Sequence, residues 1–124
     1  MVAAISTTGI SKTKDVPFGY GFLYHYLLKV PHVDKKNMEN LLIEAAAARE
    51  SDVGDTVILK PTILMDGVAK GVQSVRVGWE MAGAQGTGPA VGYFINRADV
   101  GGWIFEEVVK RGSEWAGKTV TLTY

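Results

Sequence analysis

The sequence contains no cysteine, which excludes a disulfide framework and any thiolate metal site. Charge of one sign is equally lacking. Thirteen lysines and arginines cancel thirteen aspartates and glutamates, removing the electrostatic case for a nucleic-acid partner or an anionic membrane surface. No apolar run approaches the roughly 20 residues that cross a bilayer. The apolar stretch Val2 to Ile5 is too short for a secretory signal. These absences set the expectation: a globular protein, cytoplasmic by default, with no metal site and with residues 1–124 forming one domain. A hydrophobic content of 47% is enough to build its core.

What is present begins with a helix signal. Pro31 disfavours helical geometry at Val30, Asp34 can cap the orphan amides, and Met38, Leu41, Leu42, Ala45 and Ala48 then recur at helical spacing. The first turn gathers His32, Asp34, Lys35 and Lys36, ionisable groups that read either as a solvated helix start or as a site. Two lysines there oppose the helix dipole. Before this helix, Met1–Ile5 reads as a buried strand running into the small-residue loop Ser6-Thr7-Thr8-Gly9. Residues 11–17 are turn-like, and the aromatic stretch 18–28 reads as a packing cover.

After the helix and a loop at 50–55, Thr56–Lys60 reads as a second buried strand stopped by Pro61. Strand, helix, strand implies a parallel crossover, and Thr62–Gly67 follows the second strand where parallel sheets place ligands. Residues 73–79 alternate as a half-exposed strand, with Val75, Val77 and Trp79 on one side. Gly83-Ala-Gln-Gly-Thr-Gly88 lacks the spacing of a phosphate loop and reads as a flexible connection. Ala90–Ile95 is expected as a strand. Asn96 and Asp99 then start a helix carrying Val100, Trp103, Ile104, Val108 and Val109, whose Gly101-Gly102 pair suggests close packing on the sheet. Gly112 is expected to end that helix, and Thr119–Tyr124 to close the chain as a strand.

An ordered set of motifs resembles the atypical short-chain dehydrogenase/reductases of the NmrA-like, biliverdin-reductase-B-like type, fungal members in particular. It comprises Val2-Ala-Ala-Ile-Ser-Thr-Thr-Gly9, His32-Val-Asp-Lys-Lys-Asn-Met-Glu39, Val57-Ile-Leu-Lys-Pro-Thr-Ile-Leu-Met-Asp-Gly67, and Tyr93-Phe-Ile-Asn-Arg-Ala-Asp-Val-Gly101 with Trp103-Ile-Phe105. The resemblance covers only the family's C-terminal half, from the fifth sheet strand onward. It implies an α/β fold: half of a Rossmann-like doubly wound sheet, mainly parallel, with covering helices. The glycine-rich turn that holds the dinucleotide pyrophosphate has no counterpart. No cofactor-binding residue is therefore expected in this chain alone, and NADP only if a missing N-terminal half is supplied.

By the same resemblance Thr7 falls near the family's active-site hydroxyl, Lys35 near its active-site lysine or histidine, and Pro61 with Thr62 in the loop approaching the nicotinamide. The Tyr-x-x-x-Lys pair is broken, since Pro31 stands four before Lys35 and His32 four before Lys36. His32 or a tyrosine among Tyr20, Tyr24 and Tyr26 is left as the proton donor. Three functions follow: the substrate-side half of an NAD(P)-dependent reductase, shortened or split; a cofactor-independent isomerase or cyclase of specialised metabolism acting through Lys35, His32 and Asp66; or a regulatory binding module. The partners expected are a small-molecule substrate and, across an open sheet edge, a second copy or a separately encoded N-terminal half.

Overall fold

A computed structural model describes residues 1–9, 17–19, 29–48 and 55–124, with residues 29–32 described by their backbone alone. The elements are β1 (Val2–Ile5), α1 (Lys29–Ala47), β2 (Thr56–Pro61), β3 (Ile63–Met65), β4 (Arg76–Met81), β5 (Ala84–Gly88), β6 (Phe94–Asn96), α2 (Arg97–Trp103) and β7 (Lys118–Thr123). The fold is mixed α/β. Its main sheet has the order β1-β2-β7-β4-β5, and β3 pairs with β6 in a second, two-stranded sheet. β1, β2 and β7 run parallel, whereas β4 is antiparallel to both β7 and β5. The closing strand of the sequence thus sits at the centre of the sheet.

All six residues of β2 are buried because it has a parallel neighbour on each side. Its alternate residues nevertheless face different surroundings. Val57 and Leu59 join Val120 and Leu122 of β7 in a core closed by Ile95, Val100, Trp103 and Val108. Thr56, Ile58 and Lys60, with Thr119, Thr121 and Thr123, occupy the opposite face by the period-two alternation of strands. That second face meets α1 at one end and the backbone of residues 88–92 at the other. Ala90 N donates to Thr121 Oγ1 at 2.6 Å. A Cβ on Gly78 would stand 2.2 Å from Ala90 N, so only glycine admits this approach.

Several expectations are corrected. α1 begins at Lys29, with Pro31 inside its first turn, where a missing amide hydrogen leaves no helical bond unmade; Asp34 is therefore interior to the helix and is not its cap. Leu41 and Ile43 are exposed, and a groove of about 290 Å³ lined by Ile43, Ile58 and Met81 lies beside the sheet. β1 is not a buried strand: Val2, Ala3 and Ile5 are exposed, because β1 pairs on one side only among the described residues. Residues 84–88 form β5 rather than a flexible connection, turned back by Gly83 at φ +75°. The strand expected over 90–95 is shorter, beginning at Phe94.

In the last helical segment Val100, Trp103 and Val108 are buried as expected, but Val109 is exposed. The helix continues from Trp103 into a π-helical stretch, Ile104–Val109. Its wider turn places Val108, five residues after Trp103, on the core face that an α-helix would give to Glu107. Gly112 opens a short 3-10 helix through Trp115. Among the described residues, a Cβ on Gly101 would meet nothing within 4 Å and one on Gly102 would meet Val72 alone, at 3.2 Å. The readings made over 10–16, 20–28 and 49–54 lie outside the described residues.

Candidate functional site

Parallel strands end their ladders with loops on one side of the sheet, and the loop after β1 carries three consecutive hydroxyls. Ser6 N donates to Leu59 O at 2.7 Å and Thr8 N to Pro61 O at 3.4 Å, carrying the pairing past Ile5. Ser6 and Thr8 are buried, which leaves Thr7 as the partly accessible hydroxyl of the three. Lys35, in the second turn of α1, donates its Nζ to Ile5 O at 3.0 Å. Thr7 and Lys35 are thus brought to the same end of β1.

One helical turn beyond Lys35, Glu39 is buried and joins the helix to the sheet. Its Oε2 lies 3.1 Å from Lys60 Nζ, both side chains being 3% exposed, and its Oε1 accepts the Ser6 hydroxyl. Lys36 Nζ adds a contact of 3.5 Å. A buried charge is tolerated only when paired and hydrogen-bonded, and this carboxylate has three donors. Sequence reading missed the group. A lysine inside a fully buried strand demands an anion, and Glu39 stands four residues after Lys35 on the same helix face.

The other candidates lie apart from this group. Asp66 is exposed and its Oδ1 takes Arg97 Nε at 2.7 Å; no hydrogen bond or ion pair among the described residues ties it to Lys35 or Thr7. The backbone of His32 lies in the first turn of α1, and its side chain falls outside the described residues, as do Tyr20, Tyr24 and Tyr26. Thr62 is buried. Its amide donates to Leu122 O at 3.0 Å and its hydroxyl lies 3.1 Å from Thr123 Oγ1, so its polar groups are engaged within the chain. No group of metal-ligating side chains occurs among the described residues.

A second buried carboxylate, Asp99, organises the loop between β3 and the 3-10 turn at Val72–Ser74. It does not cap its own helix but accepts Lys70 N at 2.9 Å and Gly71 N at 2.8 Å, together with the Tyr124 hydroxyl. The Tyr124 hydroxyl, then those two amides, hold Asp99 below the usual carboxylate range against the opposing effect of burial. Burial first, and then the bond to Asp99, push the Tyr124 phenol up. Asn96 stands at the N-cap position of α2 as expected, but its side chain donates Nδ2 to Val68 O at 2.8 Å and makes no capping bond. Both capping residues therefore fasten the loop.

With this geometry in place the chain can be set beside known proteins. No family model matches it. It is 50% identical to Reductase pytE of Aspergillus terreus over a 130-residue alignment covering 97% of this chain and 46% of that protein. To Oxidase pynE of Aspergillus niger it is 40% identical, covering 99% of this chain and 44% of that protein. The chain spans just under half the length of the curated relatives it matches. Among solved structures, a short-chain dehydrogenase/reductase of Veillonella parvula in complex with NADP superposes with a TM-score of 0.69 at 16% identity, over 99% of this chain and 50% of that one. A second structure of a Veillonella parvula short-chain dehydrogenase/reductase gives 0.67 at 16% identity, over 98% and 49%. The fold is that of half a short-chain dehydrogenase/reductase. The mostly parallel sheet and its helices agree with the Rossmann-like half expected from the sequence.

A dinucleotide needs a run of free amides for its pyrophosphate, usually a glycine-rich turn opening a helix. The end of β1 has the single Gly9 in that place, followed by Ile-Ser-Lys.

Proposed function

We propose that this chain is the substrate-side half of an NmrA-like, NADP-dependent oxidoreductase, made complete by a glycine-rich nucleotide-binding half that pairs with the free edge of β1. The observation that carries the reading is β1 itself: an apolar strand, parallel to β2 on one side and without a strand partner on the other among the described residues, with Thr7 and Lys35 at its carboxyl end. An open apolar strand edge recruits another strand. The reductase and oxidase names of the Aspergillus relatives, and their greater length, support the same reading. When bound, NADPH would supply a hydride to the carbon of a carbon–oxygen or activated carbon–carbon double bond and leave as NADP+, and in the reverse direction NADP+ would accept a hydride from the corresponding C–H carbon. Lys35 stabilises negative charge developing on the substrate oxygen, Thr7 orients that oxygen through its hydroxyl, and His32 in the first turn of α1 stands in for the missing tyrosine as proton donor. Without the other half, two copies pair edge to edge about a two-fold axis.

The test is to co-purify this chain with the N-terminal segment of the Aspergillus terreus reductase and titrate NADPH calorimetrically. The chain alone is expected to sediment as a dimer and to bind NADPH no tighter than about millimolar, whereas the complex binds it about a thousandfold tighter. Micromolar binding by the chain alone, or no complex with the added half, would overturn the proposal.

A further inference from the structure

The two-stranded sheet lies beyond the ends of β2 and β7, and no described element covers its outward face. Ile63 is in register with Phe94, and Leu64 with Ile95. Ile95 is fully buried and Leu64 packs on the core, so the alternation turns Ile63, Met65 and Phe94 the other way. They are 37%, 48% and 48% exposed. Tyr93, whose carbonyl accepts Ile63 N, is exposed beside them. Contiguous exposed apolar side chains of this kind mark a binding surface more often than an unused one.

Lys70 sets the charge at the rim of this face. Its ammonium stands 3.8 Å from the centre of the Tyr124 ring and 5.8 Å from that of Phe94. It makes no ion pair among the described residues, unlike Arg97, whose charge is met by Asp66. Asp99 fixes the Lys70 backbone, so the cation is delivered to the aromatic pair by a clamped loop. Rings that face a cation attract it through their quadrupole, yet leave its remaining donors free for an anion.

We propose that the outward face of the β3–β6 sheet, with Lys70 at its rim, binds aromatic small molecules that carry an acidic group, a carboxylate or an ionised enol. The aromatic body lies against Ile63, Met65 and Phe94 while the acidic group meets Lys70. Naming this molecule the substrate rests on the oxidoreductase reading above; the surface itself belongs to this chain alone.

The experiment is a fluorescence titration of the purified chain with 1-anilinonaphthalene-8-sulfonate, an aromatic anion, and with N-phenyl-1-naphthylamine, its neutral counterpart. The anion is expected to bind several-fold more tightly. Lys70→Met should abolish that preference, weakening the anion about fivefold and leaving the neutral dye within twofold, the size of one partly exposed charged contact. Phe94→Ala should weaken both dyes, and Leu41→Ser on the exposed side of α1 should weaken neither. Circular dichroism checks that each variant is folded, which the exposure of all three side chains favours. Equal affinity for the two dyes, anion binding unchanged within twofold in either Lys70→Met or Phe94→Ala, or loss on Leu41→Ser, would overturn the proposal. Because neither dye nor variant involves NADPH or the second half, this failure is separable from failure of the proposed function.

Discussion

Leu59 and Lys60 are consecutive residues of β2, both buried, and they stand on opposite faces of the same sheet. On the Leu59 face large apolar side chains from β2, β7 and the segment 95–108 interlock, and Trp103 meets Trp115 edge to face at 5.0 Å. On the Lys60 face the contacts seen among the described residues are largely polar. Threonines receive the descending backbone of residues 88–92, and a buried ion pair holds α1. The first face is stabilised by area removed from water and tolerates conservative exchange. The second depends on individual polar partners, so that removing one atom group leaves another buried without compensation.

The largest effect that separates the two faces is expected from Glu39→Ala. It removes the carboxylate that stands 3.1 Å from Lys60 Nζ in a site where both side chains are 3% exposed, and breaking a buried pair from one side costs about 3–5 kcal/mol. The double variant Glu39→Leu with Lys60→Met removes both charges and should recover most of that loss. Urea unfolding of the wild type, the single and the double variant measures both quantities. A loss below about 1 kcal/mol in the single variant, the level of an exposed pair, would mean that the Lys60 face is held by something other than this pair.

A smaller, local loss is expected where Asp99 clamps the 66–71 loop. Its carboxyl is held below its ordinary value of 3.8, so the clamp contributes stability that is fully present above that value and is lost as pH falls through the lowered one. Tyr124 acts at the other limit. Its phenol is raised above 10, so its contribution is present below pH 10 and is lost as pH rises through the raised value. Hydrogen–deuterium exchange, corrected for intrinsic rates, should show protection of the Lys70 and Gly71 amides across neutral pH. Asp99→Ala should reduce it at those amides while leaving β2 and β7 unchanged. Equal deprotection throughout the sheet would show that the clamp belongs to the global fold.

Much of the Leu59 face is legible in the sequence, because burial there follows hydrophobic pattern: Thr56–Lys60 reads as a buried strand, Thr119–Tyr124 as a strand, and Val100, Trp103 and Val108 as the apolar series of one helix. The Lys60 face is not, since its determinants are contacts between distant polar groups that no periodicity announces. Lys60 ended a strand on paper, and Glu39 was one charge in a motif. Pro31 misplaced the start of α1, because its preference against helix at Val30 is weaker than the tolerance of a first turn for proline. Asn96 and Asp99 looked like caps by type and spacing, and tertiary partners claimed both. For the candidate site, the positions of Thr7 and Lys35 came from resemblance, and the structure brings them to one strand end. Asp66 looked equally available and is committed to Arg97.

The smallest effect, and one of opposite sign, is expected from a glycine that belongs to neither face. Gly78 is required where the backbone of residues 88–90 descends on the sheet, with three backbone atoms within 2.6 Å of any Cβ it might carry. Gly101 resembles it in sequence terms, as a glycine within a regular element for which close packing is the natural expectation. Its surroundings are different: among the described residues nothing lies within 4 Å of a Cβ built there, its φ is not positive, and it is exposed in the middle of α2. An alanine at this point adds no collision and removes the backbone freedom that glycine has when unfolded. Gly101→Ala should therefore raise stability by about 0.5–1 kcal/mol. The gain would be read as a higher urea midpoint at unchanged slope. A destabilised Gly101→Ala variant would show that α2 meets a surface at that position, and the most direct candidate for that surface is the half of the fold that this chain does not contain.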